Sequence, residues 1–239
     1  MTRLTVLFTI FLLTIGCCFA EEASQGHVHC TFTSYAAKRP GEYALRVDDI
    51  PTEVADVVSL VGMLEHRTTL NHTNVIAPLN SHTIDTRDPN DVSINHSLQS
   101  WLDDGCSANK MVLGVNFVVQ TFTLADPKHK ELGAPTSGSG KPCPVTNEKG
   151  ICSYMELCQA FNQSEWIFKW DEEGEVPYAI QGDQWVTYEN VLSVHQKVSF
   201  AKSQGLGGVS GMNLSYDDYR GKCGERYPLT KAVWNAFRT

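Results

Sequence analysis

Short apolar runs alternate with amphipathic stretches along this chain, and their spacing predicts an ordered series of strands and helices. Residues 28–35 (VHCTFTSY) alternate apolar and polar positions and lead to Arg39-Pro40-Gly41, the pattern of a strand closed by a turn. Residues 54–64 (VADVVSLVGML) are an almost continuous Val-rich run, which suits a parallel strand covered on both faces. Residues 70–90 are polar and read as loop. Over residues 92–104, Ile94, Leu98, Trp101 and Leu102 share one helical face, with Asp91 as cap and Gly105 as stop. Residues 111–118 (MVLGVNFV) predict another buried strand. Residues 191–204 predict a helix with Val191, Val194, Val198 and Ala201 on one stripe before Gly205. A Gly-rich strand follows over residues 206–214, and a last helix carries Leu229, Val233 and Phe237. This alternation makes the fold class α/β with parallel strands. Residues 123–188 break the rhythm with a Gly/Pro/Ser loop, a short helix from Ser153 to Phe161 and short aromatic strands (WIFKW, VPYAI, QWVTY), the pattern of a small α+β insertion.

The amino end changes the setting. Arg3 precedes an apolar stretch over residues 4–15, and Cys18-Phe19-Ala20 precedes Glu21-Glu22, the order of a signal peptide cut after Ala20. The run is shorter than the about 20 residues needed to span a bilayer. The expectation is an extracellular, secreted protein. Of the 8 cysteines, Cys17 and Cys18 leave with the leader. Cys30, Cys106, Cys143, Cys152, Cys158 and Cys223 remain, and an even set in an oxidising compartment predicts disulfides. No CxxC or HxxxH spacing points to a metal, and no cofactor motif is present. Asn71, Asn95, Asn162 and Asn213 begin N-x-S/T sequons, so a glycoprotein is expected. The formal net charge is −8, or −9 once Arg3 is removed, and no Lys/Arg cluster occurs. Nucleic acid and anionic membranes are excluded as partners, and a neutral or weakly polar ligand is favoured.

Several strings resemble the family-18 chitinases and chitinase-like proteins, especially those of insects: WLDDGCSANKMVL from Trp101, TFTLADPKHKELGAPTSGSG from Thr121, WDEEGEVPYAIQGDQWVTY from Trp170 and LGGVSGMNLSYDDYRG from Leu206. A weaker match covers CTFTSYAAKRPG from Cys30 and DVVSLVGMLEH from Asp56. The resemblance implies a (β/α)8 barrel of the TIM type with an α+β insertion after strand seven. The implied division is a leader at 1–20, a partial barrel at 21–122 and 189–239, and the insertion at 123–188. About 150 mature residues lie outside the insertion, enough for about five strand-helix units of ~30 residues. The four strands recognised match the family's first, sixth, seventh and eighth. Strands two to five are missing, with the gap near residues 45–55.

That gap bears on chemistry. The family uses substrate-assisted hydrolysis, outside the usual two-carboxylate scheme, and carries its acid and orienting aspartate in a DGxDxDxE string on strand four. The string is absent here. Asp171-Glu172-Glu173 matches an ordinary part of the insertion and reads as a solvated turn. The family's Met-Ser-Tyr-Asp after strand six is Val61, Gly62, Met63, Leu64; His66 still matches and reads as a packed loop residue. Tyr-Gly-Arg after strand seven is Val118, Val119, Gln120, and the cleft tryptophan of the last strand is Met212. Glu148 matches a glutamate of the insertion that reaches toward sugar; Trp185 and Tyr178 also match and read first as insertion core. The resemblance implies the pairs Cys158–Cys223 and Cys143–Cys152, leaving Cys30 with Cys106. It also sets Asn213 and Asn71 at the cleft face, where a glycan would occupy the site. The implied function is a secreted, inactive chitinase-like protein that binds chitin, related glycans or a protein partner. A chitin hydrolase and a truncated product without function are the alternatives, and exposed sheet edges would favour a homodimer.

Overall fold

The computed structural model describes residues 29–32, 57–61, 71–82 and 93–238. Four strands, β1 (His29–Phe32), β2 (Val57–Val61), β3 (Met111–Asn116) and β10 (Gly208–Met212), form one parallel sheet in the order β1-β2-β3-β10. Helices α1 (Ile94–Asp103), α3 (Val191–Ser203) and α4 (Pro228–Arg238) cover one face of β3 and β10. Between β4 and β9 the chain builds a second, antiparallel sheet. Its strands are β4 (Val118–Leu124), β5 (Thr136–Ser139), β6 (Ile151–Ser153), β7 (Ile167–Asp171), β8 (Val176–Gln181) and β9 (Gln184–Thr187), and α2 (Tyr154–Gln163) packs on it. The order is β5-β4-β9-β8-β7, with β6 paired to β4.

Local chemistry sets the boundaries. The single strand expected over residues 111–118 ends at Asn116, because the Asn116 side chain accepts from the Val118 N–H at 3.1 Å and turns the backbone toward the second sheet. Ser93, not Asp91, caps α1: its hydroxyl accepts from the His96 N–H at 3.1 Å, and Asp91 lies outside the described residues. Ile94, Leu98 and Trp101 are buried there as the periodicity predicts. In α3 the buried stripe is Val194, Lys197, Val198 and Ala201, while Val191 is 45% exposed because it stands in the first turn beyond the covered strip. In α4 the buried face is Leu229, Ala232 and Ala236. Phe237, expected inside, is 44% exposed. The small alanines let α4 lie close against its neighbours, and Phe237 is one residue round the helix from that seam.

The loop-like stretch holds an apolar strip. Val75, Ile76 and Leu79 are each 4% exposed and pack with Phe122, Val176, Ile180 and Trp185 or against α1. The Ile76 N–H donates to the Thr187 hydroxyl at 3.0 Å, and buried His82 meets Asp171. Asp171 is therefore not part of a solvated turn: it is 9% exposed and also accepts from the Gly174 N–H. Disulfides join Cys143 to Cys152 and Cys158 to Cys223. Cys106 is a free thiol, contrary to the pairing with Cys30. It packs beside Trp101, Leu102 and Met111, and burial raises its pKa against the lowering effect of Lys110. Cys30 registers with Val58, and Val58 with Met111, so Cys30 stands two strands, about 10 Å, from the strand where Cys106 packs; a disulfide needs Cα atoms within about 7 Å. No described helix is long and apolar enough to cross a membrane.

Candidate functional site

Of the expected residues, Met212 stands at the carboxyl end of β10, opposite the end of β3. On β3, Met111, Leu113 and Val115 pack into the clusters under the helices. Side chains alternate along a strand, so Val112, Gly114 and Asn116 face the other way. On β10, Val209 packs with the helix layer and a Cβ on Gly211 would stand 2.9 Å from the Phe117 ring. Ser210 and Met212 therefore share the face of Gly114 and Asn116, with Met212 opposite Asn116 in the register.

Met212 is half-buried, and Asn213 follows it in the left-handed region at φ 59°. The Asn213 Nδ2 donates to the Asn116 Oδ1 at 2.9 Å. A 3-10 turn, Leu214–Tyr216, comes next. Burial raises the Tyr216 pKa, and the negative charges of Glu148 and Glu156 raise it further. Glu148 is exposed and bridges Ile151, which also pairs with half-buried Gln120. Glu148 and Gln120 are thus joined through Ile151.

Two proposed contacts stand elsewhere. Trp185 is 0% exposed; its indole N–H donates to the Lys130 carbonyl at 3.3 Å, and Tyr178 stacks on it at 4.9 Å. It is core and offers no surface to a ligand. Met63 and His66 lie outside the described residues.

Every buried carboxylate among the described residues has a structural partner. Glu156 caps α2 and holds the preceding loop. Asp171 meets His82. Glu189 pairs with buried Lys197 and accepts from Ser193. Asp217 accepts from the Leu229 and Thr230 N–H groups at the start of α4, and Asp218 from those of Lys222 and Cys223. For Glu156, burial pushes the pKa up, but hydrogen bonds from Thr146 and Ser153 leave it lowered. A general acid of a glycosidase needs the opposite shift. Cys158, Asp218 and Cys223 lie within 4.8 Å of one another, but the two sulfurs are bonded together, which leaves no thiolate for a metal. The four sequon asparagines are all exposed. Asn95 lies in the first turn of α1, with its amide on Asn80, and Asn162 lies near the end of α2.

Sequence reasoning missed Asn116, whose amide stands beside both Met212 and Asn213. The signal was the two-residue alternation of β3, but only the parallel register with β10 turns it into a position.

Comparison with known proteins agrees with the architecture. The sequence profile of the glycosyl hydrolases family 18 matches residues 8–217. The chain is 38% identical over 148 residues to the endochitinase of Manduca sexta, covering 59% of this chain and 27% of that protein. It is 30% identical over 231 residues to chitotriosidase-1 of Mus musculus, covering 95% of this chain and 48% of that one. Among solved structures it resembles human YKL-39, described as a pseudo-chitinase with retained chitooligosaccharide binding properties, with a TM-score of 0.71 and 31% identity over 79% of this chain and 52% of that one. The chain thus spans at most about half the length of these relatives. With four parallel strands under a helix layer, an incomplete TIM-type barrel, and a profile match over most of its length, the chain belongs to glycosyl hydrolase family 18, whose members include chitinases and chitinase-like proteins.

Proposed function

We propose that this chain is a secreted chitinase-like glycoprotein that binds chitin or N-acetylglucosamine oligosaccharides and does not hydrolyse them. One observation carries the reading: the sequence holds no DGxDxDxE string. Without a carboxylic acid at the leaving oxygen, about 10²–10⁴ of general-acid assistance is lost. The engaged state of the buried carboxylates supports this, since among the described residues none of them is free to replace the acid. Glu148, Gln120 and Met212 would line what remains of the cleft. The implied layout has a leader at 1–20, the partial barrel at 21–122 and 189–239, and the insertion at 123–188. The relatives named as chitinases favour the second reading, a hydrolase.

Two assays on the purified secreted chain separate the readings. A fluorogenic chitooligosaccharide should show no turnover above a mock preparation, while chitin beads should retain the protein and release it to free chitotetraose. Turnover that scales with protein concentration would establish the hydrolase. Failure on both assays would remove the sugar from the account altogether.

A further inference from the structure

The two outer strands of the second sheet are built differently. β5 (TSGS) is short and polar, carries Gly138 at φ 134° and pairs with β4 through a register shift at Thr123/Leu124, features that blunt a sheet edge. β7 (IFKWD) has none of them, and among the described residues no strand pairs with its outer side. Ile167 is 45% and Phe168 56% exposed, and Trp166 and Trp170 are half-buried. Lys169 alone interrupts the apolar run over residues 166–170.

The backbone direction along this edge follows from its neighbours. The Tyr188 N–H donates to the Pro177 carbonyl at 3.4 Å, so Pro177 faces β9 and the backbone of Tyr178 faces β7. Tyr178 registers with Lys169, which turns the N–H and C=O of Lys169 toward β8 and those of Phe168 and Trp170 outward. Side chains alternate as well. Phe161 of α2 meets Trp166 at 5.2 Å and Phe168 at 4.8 Å between ring centroids. Trp166, Phe168 and Trp170 therefore share the α2 face, and Glu165, Ile167 and Lys169 share the other.

This edge complements itself in one register. A second copy pairing antiparallel about a two-fold axis at Phe168 sets Phe168 opposite Phe168 and each Trp166 opposite Trp170 of the other copy, an all-aromatic row of cross-strand pairs. On the other face Lys169 lies opposite Ile167 and diagonal to Glu165 of the second copy, and the right-handed twist draws that diagonal together while moving the two lysines apart. An axis at Lys169 would set lysine directly against lysine, which is unfavourable.

We propose that β7 is the interface of a homodimer, joined by antiparallel pairing of β7 with β7 of a second copy about a two-fold axis at Phe168. The pairing satisfies the outward N–H and C=O groups of Phe168 and Trp170 and covers the exposed Ile167 and Phe168. It does not rest on the sugar-binding reading.

The test is sedimentation velocity of the full purified chain at micromolar concentrations, with and without endoglycosidase treatment, because Asn162 begins a sequon near the end of α2 beside this edge. The chain should sediment as a dimer. Phe168→Lys, at a side chain more than half exposed, should leave the thermal melt of the monomer intact and weaken association about tenfold or more, since it sets two lysines face to face at the axis. Lys169→Glu should weaken association too, and adding Glu165→Lys should restore it by rebuilding the diagonal pair. Oxidative cross-linking reads the register: Phe168→Cys should give a covalent dimer and Lys169→Cys should not, with the unmodified chain setting the background from the free Cys106. A monomer in both preparations, or a dimer that Phe168→Lys leaves unchanged, overturns the proposal. Cross-linking through Lys169→Cys alone moves the axis and overturns the register.

Discussion

Glu156 shows how one side chain organises the approach to the site. Its carboxylate accepts from the Val145 and Thr146 N–H groups, the Thr146 hydroxyl, and the N–H and hydroxyl of Ser153. The bond from the Ser153 N–H is one half of the capping box of α2, whose other half is the Glu156 N–H donating to the Ser153 hydroxyl, and the three bonds from Val145 and Thr146 fix the loop that leads to Glu148. The folded-state pKa is lowered from 4.5, so the stabilisation is full above the unfolded value and lost as pH falls through the folded one. Glu156→Gln should therefore destabilise the chain by about 1–3 kcal/mol at neutral pH and flatten the loss of stability below pH 4.5. Urea melts across the acid range check this; an unchanged pH slope would show that Glu156 is not the group responsible. The serine-to-glutamate spacing of the capping box was legible in the sequence, but the three loop donors were not, since they come from residues 145 and 146.

At the scale of elements, the two disulfides play unequal parts. Cys143–Cys152 closes a loop of sequence separation 9, and Cys158–Cys223 one of 65. Chain-entropy reasoning gives about 3 and about 4 kcal/mol respectively. The longer one ties α2 to the segment between β10 and α4, where Asp217 and Asp218 hold the backbone that starts α4. Replacing Cys158 and Cys223 together by serine should lower the melting temperature more than replacing Cys143 and Cys152, and α4 amides should lose hydrogen-exchange protection first. An equal effect from both pairs would mean that the 65-residue separation matters little. The α4 face shows where periodicity stops being informative: Leu229, Val233 and Phe237 and Leu229, Ala232 and Ala236 are both helical stripes. Hydrophobicity alone chooses the first. Packing of α4 against α3 and β10 buries the second stripe, with Val233 packed against the same cluster and Phe237 left 44% exposed.

For the whole molecule, the open question is how a barrel with four recognised strands persists. The parallel sheet has β1 and β10 as its outer strands. The second sheet compensates in part: residues 75–79 run against it and hydrogen-bond to Thr187 and Gly174, so two sheets share one connecting segment. We expect the purified chain to elute as a homodimer through pairing of sheet edges, and to lose mass on endoglycosidase treatment through removal of glycans at Asn71, Asn95, Asn162 and Asn213. Size-exclusion chromatography with light scattering and intact-mass spectrometry read both. A cooperative monomer argues against edge pairing, and an unchanged mass argues against glycosylation.

The sequence by itself determined the strand-helix order, the helix-stop glycines, the family, and the lack of the acidic string, because these reside in local pattern and in contiguous residues. Tertiary structure decided what depends on residues far apart in the chain. It buried Asp171 against His82, 89 positions away. It left Cys106 as a thiol, placed Trp185 wholly inside, and set Asn116 beside Met212 and Asn213, 97 positions on. A side chain's neighbours across a sheet follow from register, and register is fixed by packing of the whole fold rather than by any short stretch of it.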